Sequence, residues 1–313
     1  MALASIIICT RNRADCLRKT LAALNGVNVS AQLSAEVIVV DNGSTDDTAA
    51  VVKECRLDKV VLKSLSEPQT GQSRSRNRGM AEAKGDIIVF TDDDVIPSPD
   101  WLTSLCAPIL AGKADAVAGC VRLAPHLVAP WMSLYHRQWL ADTCGLEPEN
   151  PGRLVGANMA FSRAVLERVP AFDVELGPGA LGFGDDTLFS AQLKAAGYTM
   201  TTAFNAVIEH HFLEDRLLPD SWIQSAKKLG KVDAYIGHHW EHAVWPLPRR
   251  KVCEAYLKLA RHRLLFLFSK SKPGVPQSLL DAERYYHARL HYLQESKRPR
   301  NYDKHGLAKL QCS

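Results

Sequence analysis

Asp86-Ile87-Ile88-Val89-Phe90-Thr91-Asp92-Asp93-Asp94 carries an apolar run straight into three consecutive carboxylates. The run reads as a short buried strand, with the triplet at its C-terminal end. Adjacent carboxylates repel one another and cost stability unless a cation sits among them. Mg²⁺ and Mn²⁺ favour oxygen ligands and commonly join a protein carboxylate to a substrate phosphate. A solvated acidic turn is the alternative, and the triplet alone does not choose between the two.

Upstream of that stretch, strand and helix alternate. Ser5-Ile6-Ile7-Ile8-Cys9 reads as a strand, and Leu17, Leu21 and Leu24 recur at helical spacing across residues 16–24. Glu36-Val37-Ile38-Val39-Val40 is a second strand, followed by Asp41 and then by a helix over residues 45–55 with Ser44 or Thr45 as its cap. Val60-Val61-Leu62 is a third strand. A helix over residues 71–84 closes at Gly85, and residues 86–91 form the fourth strand. Continuous apolar strands between helices predict a mostly parallel sheet covered on both faces. Ligands bind such sheets at the carboxyl ends of the strands, so Asp41 and the triplet are expected to share one crevice.

The second half is less regular. Helices are expected over 101–110, 185–196 and 221–230, and strands over 114–123, 153–162 and 198–208, the last running into Glu209-His210-His211. Residues 177–184 hold four glycines and read as a flexible loop. Trp131, Trp139 and Trp240 suit either a core or a sugar-stacking face. Beyond Pro246 and Pro248, residues 249–268 and 279–294 read as two basic helices.

With 313 residues, 46% hydrophobic and 23% charged, the composition is that of a globular protein of one large domain or a domain with an appendage. No run approaches the roughly 20 apolar residues of a membrane span. The N-terminal run lacks a basic leader and reads as a core strand, not a signal peptide. Eight cysteines, Cys312 among them, show no CxxC spacing, which suits reduced thiols in the cytoplasm and argues against structural zinc. Residues 249–313 hold 15 basic and 5 acidic side chains, against 23 and 29 in the rest. This basic tail is either a solvated helical hairpin or a contact for a partner or the anionic inner face of a membrane. No nucleic-acid-binding motif is present.

Seven segments together resemble the family 2 glycosyltransferases. They are Ile8-Cys9-Thr10-Arg11-Asn12-Arg13, Val39-Val40-Asp41-Asn42-Gly43-Ser44, residues 71–79 with Arg76, Asp92-Asp93-Asp94, Gly156-Ala157-Asn158-Met159-Ala160-Phe161, Gly184-Asp185-Asp186 and Glu209-His210-His211. The resemblance implies a GT-A fold, Rossmann-like with helices flanking the sheet, over residues 1–245. Its nucleotide-binding half would be 1–95 and its acceptor half 96–245, with residues 246–313 as a basic helical extension. It implies Mn²⁺ or Mg²⁺ held by Asp94 and Asp92, with Asp92 and Asp93 also contacting the donor. A histidine completes that set, and His210 fits by its distance to Arg216, with His211 as the other candidate. The same resemblance implies that Thr10, Arg11 and Asp41 bind the nucleoside, a uracil base being suited to Asp41, and that Arg13 also binds the donor. Arg76 would contact the diphosphate. Gly156, Asn158 and Phe183 would lie on the acceptor side.

The family's catalytic base falls at Asp185-Asp186, with Asp186 aligned to the usual base and Asp185 as the alternative. Two acidic helix-capping residues are the bland reading of that pair. The expected reaction is an inverting single displacement from a nucleotide-sugar donor, UDP-sugar favoured, onto an acceptor hydroxyl of a polysaccharide, glycolipid or natural product. A nucleotidyltransferase would carry a glycine- and lysine-containing loop after the first strand, where Thr10-Arg11-Asn12-Arg13 stands. A non-catalytic nucleotide-sugar-binding protein with the same fold is the remaining alternative.

Overall fold

Ala2–Thr10 forms β1, the strand around which the sheet is built. The computed structural model describes residues 1–58, 60–143, 145–149, 151–245, 248–268 and 274–310. Pro246 and Cys312, both used in the reading above, lie outside those residues. β1 is flanked in parallel by β2 (Leu33–Asp41) and β4 (Ile87–Thr91), and β3 (Val61–Ser66) extends the parallel set beyond β2.

Successive side chains of a strand face opposite sides, so a strand covered on both faces must be apolar throughout. Ile6 and Ile8 accordingly pack on one side with Leu17 and Leu21 of α1 (Ala14–Leu24) and with Trp101 and Leu105 of α4 (Trp101–Leu110). Ile7 packs on the other side with Met80 of α3 (Gln72–Glu82) and Phe189 and Leu193 of α6 (Asp185–Ala195).

The full strand order is β3-β2-β1-β4-β7-β6-β8-β5, with β5 Val95–Pro97, β6 Ala116–Leu123, β7 Asn158–Ser162 and β8 Met200–His210. β6 and β8 are parallel, but β7 runs antiparallel to β4 and β6, and β5 antiparallel to β8. The sheet is therefore mixed, less parallel than the first half alone suggests. β7 begins only at Asn158, so Gly156 and Ala157 precede the strand.

Local chemistry explains where the other elements depart from expectation. α2 (Thr48–Glu54) begins three residues late. Ser44 and Thr45 do not cap it, because both are engaged by Asn12. The Asn12 N–H donates to Ser44 Oγ at 2.9 Å, and the Thr45 N–H donates to Asn12 Oδ1 at 2.7 Å. Gly85 does not end α3 in a left-handed turn, since α3 stops at Ala83 with extended backbone. α7 (Pro219–His239) runs well past Gly230. There the missing side chain admits α9 (Gln277–Glu295), for a Cβ would lie 2.2 Å from the Arg284 carbonyl oxygen.

The C-terminal helices pack into the body. Leu279, Leu280 and Ala282 of α9 and Leu259 of α8 (Pro248–Phe268) share a core with Trp222 and Ala226 of α7. Trp131, and Trp139 at the end of α5 (Leu134–Trp139), are half-buried against the buried Trp222 ring, with centres 5.9 and 6.2 Å from it. Trp240, also buried, donates its Nε1–H to the Gly306 carbonyl at 2.9 Å. Residues 297–310 fold back over the loop ahead of α6. Tyr302 donates to Asp173 Oδ2 at 2.7 Å, and Lys309 Nζ reaches Asp173 and Glu175 at 2.9 and 2.8 Å. Part of the tail's positive charge is thus spent internally. Among the described residues no helix is long and apolar enough to cross a membrane.

Candidate active site

The carboxyl ends of β1, β4 and β8 open onto one cleft of about 290 Å³, lined by Thr10, Arg11, Arg13, Asn42, the aspartate triplet, His210 and Arg216. The Thr20 hydroxyl, delivered by α1, fixes the turn that presents the triplet. It donates to the Asp93 carbonyl at 2.9 Å and accepts the Val95 N–H at 3.0 Å. The His211 N–H holds the Asp94 carbonyl at 2.7 Å, tying the end of β8 to the same turn.

Asp92, Asp94 and His210 each offer a ligand atom, all within 4.8 Å of one another. His210 Nδ1 lies 3.0 Å from the Leu140 carbonyl and so carries its proton there. That turns Nε2 toward Asp94 Oδ1, 3.2 Å away. Asp94 Oδ1 is buried and has no hydrogen-bond partner among the described residues. An unsatisfied buried oxygen facing a ring nitrogen and a second carboxylate is a fit for a small hard cation, which would satisfy all three. His211 is turned elsewhere, with Nε2 2.7 Å from Glu209, so geometry selects His210.

Charge in the cleft is tightly balanced. Burial pushes the Asp92 carboxyl above its ordinary range, and the Asp94 charge adds to this. Burial also pushes Asp93 up to about 7, against the pull of Arg13. Burial works the same way on Asp94, but His210 and Arg13 outweigh it and hold Asp94 below the carboxylate range. One nitrogen of Arg13 bridges Asp93 at 3.0 Å and Asp94 at 2.6 Å, which ties this arginine to the triplet. Arg11 donates to Thr70 at 2.7 Å at the rim.

Arg216 and Asn42 are among the cleft residues to which the sequence reading gave no role. Arg216 served there only as a spacing mark. Its guanidinium lies 5.2 Å from the Phe212 ring centre, facing the triplet, and burial lowers its pKa. Asn42 braces the wall. It donates to the Glu67 and Gln69 carbonyls and accepts the Gly71 N–H, each at 2.8 Å. A carboxamide directly after a buried strand, in a chain rich in backbone turns, is the signal that marks it. Its neighbour Asp41 pairs with Thr10 across β1 and β2 but is not in the cleft lining, and its Oδ1 accepts the Ser44 N–H at 2.9 Å.

Arg76 departs furthest from expectation. It is buried, with its guanidinium 5.6 and 5.4 Å from the Phe90 and Phe172 ring centres, and it is ion-paired to Asp185 at 2.5 Å. It also feels the charges of Asp92 and Asp186, which places it between the triplet and the α6 N-terminus. Asp185 is therefore a buried partner of Arg76, its pKa raised by burial against the pull of that arginine.

Asp186 is only partly buried. Its Oδ2 accepts the Gly156 N–H at 3.0 Å, which fixes the carboxylate at the start of α6. Gly184 makes this placement possible. It adopts φ +90°, and a Cβ there would sit 2.4 Å from a Val232 methyl.

The three residues expected on the acceptor side each make contacts within the protein. Asn158 is fully buried and satisfied, accepting from Trp101 Nε1 at 2.8 Å and donating to the Cys120 and Ala206 carbonyls. Gly156 holds Asp186 through its N–H and leaves room for Arg76, whose Nη2 would be 2.1 Å from a Cβ. Phe183 packs with Leu176, Leu188 and Val232.

A substitution separates the Arg76–Asp185 pair from the chemistry. Arg76→Met leaves Asp185 buried without its cation, and urea unfolding should show a loss of about 3–5 kcal/mol. Because burial raises the folded pKa of Asp185 above its unfolded value, the loss should shrink as pH falls through that raised pKa and the carboxyl takes up a proton. A loss under about 1 kcal/mol, the range of exposed pairs, would show that the pair is solvated.

This constellation and fold define a class. The chain belongs to glycosyl transferase family 2, whose model matches residues 5–169, more than half of its 313 residues. Among named proteins it is similar to the glycosyltransferase AglE of Haloferax volcanii, with 28% identity over 207 residues, 65% of each chain. The match thus spans just under two thirds of that relative. In three dimensions it resembles the mannosyltransferase PcManGT of Pyrobaculum calidifontis, solved in complex with GDP-Man and Mn²⁺. That match has a TM-score of 0.57 at 21% identity, over 94% of this chain and 73% of the other. S. aureus TarS 1-349 in complex with UDP gives a TM-score of 0.53 at 17% identity, over 95% and 92%. The fold is GT-A.

Proposed function

We propose that this protein is an inverting glycosyltransferase that moves a sugar from a nucleoside diphosphate donor, UDP-sugar favoured, to an acceptor hydroxyl. The observation that carries the reading is the Asp92, Asp94 and His210 group, which shares one cleft with Arg11, Arg13 and Arg216. Two carboxylates and an imidazole placed for a cation, beside arginine forks, suit a metal-bound diphosphate. Asp92, Asp94 and His210 would hold Mn²⁺ or Mg²⁺, and a divalent ion bound there acts as a Lewis acid toward the departing diphosphate.

The chain's own groups do the rest. Arg216 and Arg11 bind phosphate oxygens from the rim, and Thr10 and Asn42 wall the nucleoside end. Asp41, at the end of β2 just outside the cleft lining, is assigned to uracil, and its second carboxylate oxygen would accept the ring N–H of a nucleoside seated against that strand end. Asp93, in contact with Arg13, orients the donor ribose or sugar. Asp186 accepts the proton of the attacking hydroxyl, and Asp185 neutralises Arg76 and so positions the α6 terminus. The nucleotide-binding half is assigned to residues 1–95, the acceptor half to 96–245 and the extension to 246–313. The site of action is assigned to the cytoplasm, and the basic extension, with 15 basic and 5 acidic side chains over residues 249–313, is a candidate contact for the inner face of the membrane.

A panel of UDP-, GDP- and dTDP-sugars with Mn²⁺ tests the reading by thermal shift and by slow donor hydrolysis. A UDP-sugar is expected to raise the melting temperature only when the metal is present, because it binds the folded state alone. A response to GDP-sugars alone would reassign the base. No response to any sugar nucleotide would sink the proposal.

A further inference from the structure

The helix α8 (Pro248–Phe268) has two apolar faces, and the fold uses one of them. Ala255 and Leu259 are buried at 1% exposure, turned toward the body. On the opposite side Leu257, Leu264 and Phe268 form a stripe at spacings of seven and four residues, with Leu265 beside them. Leu257 is 70% exposed, Phe268 83%, and Leu264 and Leu265 are 56% each. A helix on a soluble surface normally carries polar residues there, and a contiguous exposed apolar patch marks an interaction site.

The charge along the same helix narrows the occupant. α8 carries Arg249, Arg250, Lys251, Lys258, Arg261 and Arg263 against a single acid, Glu254. Glu254 pairs with Arg250 and Lys251, and Arg263 reaches Glu283 of α9. No ion pair engages Arg249, Lys258 or Arg261 among the described residues, and all three are exposed. Arg261 lies within the apolar stripe, and Lys258 flanks it, next to Leu257. Unpaired cations interleaved with exposed leucines match a surface that is negative at the headgroups and apolar just beneath. A protein partner or a second copy of the chain would need acids placed against each of these cations.

We propose that the outer face of α8 is a docking surface for an anionic lipid bilayer, with Leu257, Leu264, Leu265 and Phe268 entering the headgroup boundary and Arg249, Lys258 and Arg261 binding the lipid charge. The proposal deepens the reading of the extension as a contact for the membrane's inner face and does not depend on which sugar is moved. Long basic side chains reach the headgroups while their stems lie along the apolar layer.

Co-sedimentation of the full chain with vesicles tests it. Vesicles of phosphatidylcholine alone are compared with vesicles containing phosphatidylglycerol, at low and high salt. The bound fraction should be on the order of tenfold or more higher on the anionic vesicles, as expected when several basic residues meet a negative surface, and should fall with salt. Leu257→Glu/Leu264→Glu/Phe268→Glu should reduce binding to the phosphatidylcholine level while keeping the wild-type melting temperature. Lys258→Glu/Arg261→Glu is the second variant, needed if the first fails to fold, and should give the same loss.

Equal binding of wild type to both vesicles, or retention by both variants, overturns the proposal. So does a lipid-free dimer in analytical ultracentrifugation that the triple variant disperses, which would give the face to a second copy. Donor hydrolysis measured on the same samples keeps the two proposals apart. Vesicle binding without hydrolysis leaves this one standing, and hydrolysis without binding leaves the other.

Discussion

Replacing Asp186 with asparagine should cut transfer by about 10²–10⁴-fold, the usual contribution of a general base, while leaving the melting temperature close to wild type. The proposal of this residue over its neighbour rests on geometry. The Asp185 carboxylate is buried and held by Arg76 at 2.5 Å, so protonating it would leave an arginine uncompensated in the interior. Asp186 is reachable, and its Oδ2 is oriented by the Gly156 N–H. It also stands in the first turn of α6, where the exposed N–H groups favour a negative charge.

Asparagine preserves the shape and the contact with Gly156 but cannot take up a proton. The loss should therefore appear in kcat for transfer at saturating donor, with donor-induced stabilisation unchanged. Asp185→Asn should behave differently, lowering stability first because it strands Arg76. Full transfer by the Asp186 variant would mean that the proton goes elsewhere.

The contrast between those two aspartates also shows what was legible in the sequence. Strand identity was readable because a strand packed on both faces has to be apolar at every position, as Ile6, Ile7 and Ile8 are. The acidic triplet was visible as a candidate cation site, but the run alone did not separate that from a solvated turn, and the grouping of Asp92 and Asp94 with His210 comes from the fold. Individual roles were harder. Gly156, Asn158 and Phe183 sit in motifs of the right order, and only the fold shows the packing and internal hydrogen bonds that each makes. The family resemblance puts Arg76 at the diphosphate, because a motif match carries residue type and position but not the direction of the side chain. Only the fold shows that its guanidinium turns inward to Asp185. The direction of β7 was equally hidden, because an apolar strand looks the same run either way.

Asp94→Asn should abolish the response to metal. In wild type, Mn²⁺ at about one hundred times its dissociation constant should stabilise the fold by roughly 2.7 kcal/mol, the mass-action value for a ligand bound only by the native state. The asparagine variant should show none of this at the same concentration. Its side chain offers a neutral oxygen where the buried, unpartnered Asp94 Oδ1 faced His210. In chelator the variant should unfold much like wild type. Removing one of three repelling carboxylates relieves Asp92, and that gain opposes the loss of the Arg13 contact at 2.6 Å. Transfer should drop by about 10³-fold, equivalent to roughly 4 kcal/mol of lost stabilisation of the leaving diphosphate. Asp93→Asn is the control, because its carboxylate faces Arg13 and is not among the clustered ligand atoms. That variant should keep the Mn²⁺-dependent rise in melting temperature. If Asp93→Asn lost the response and Asp94→Asn kept it, the ligand set would have to be redrawn around Arg13's other partner.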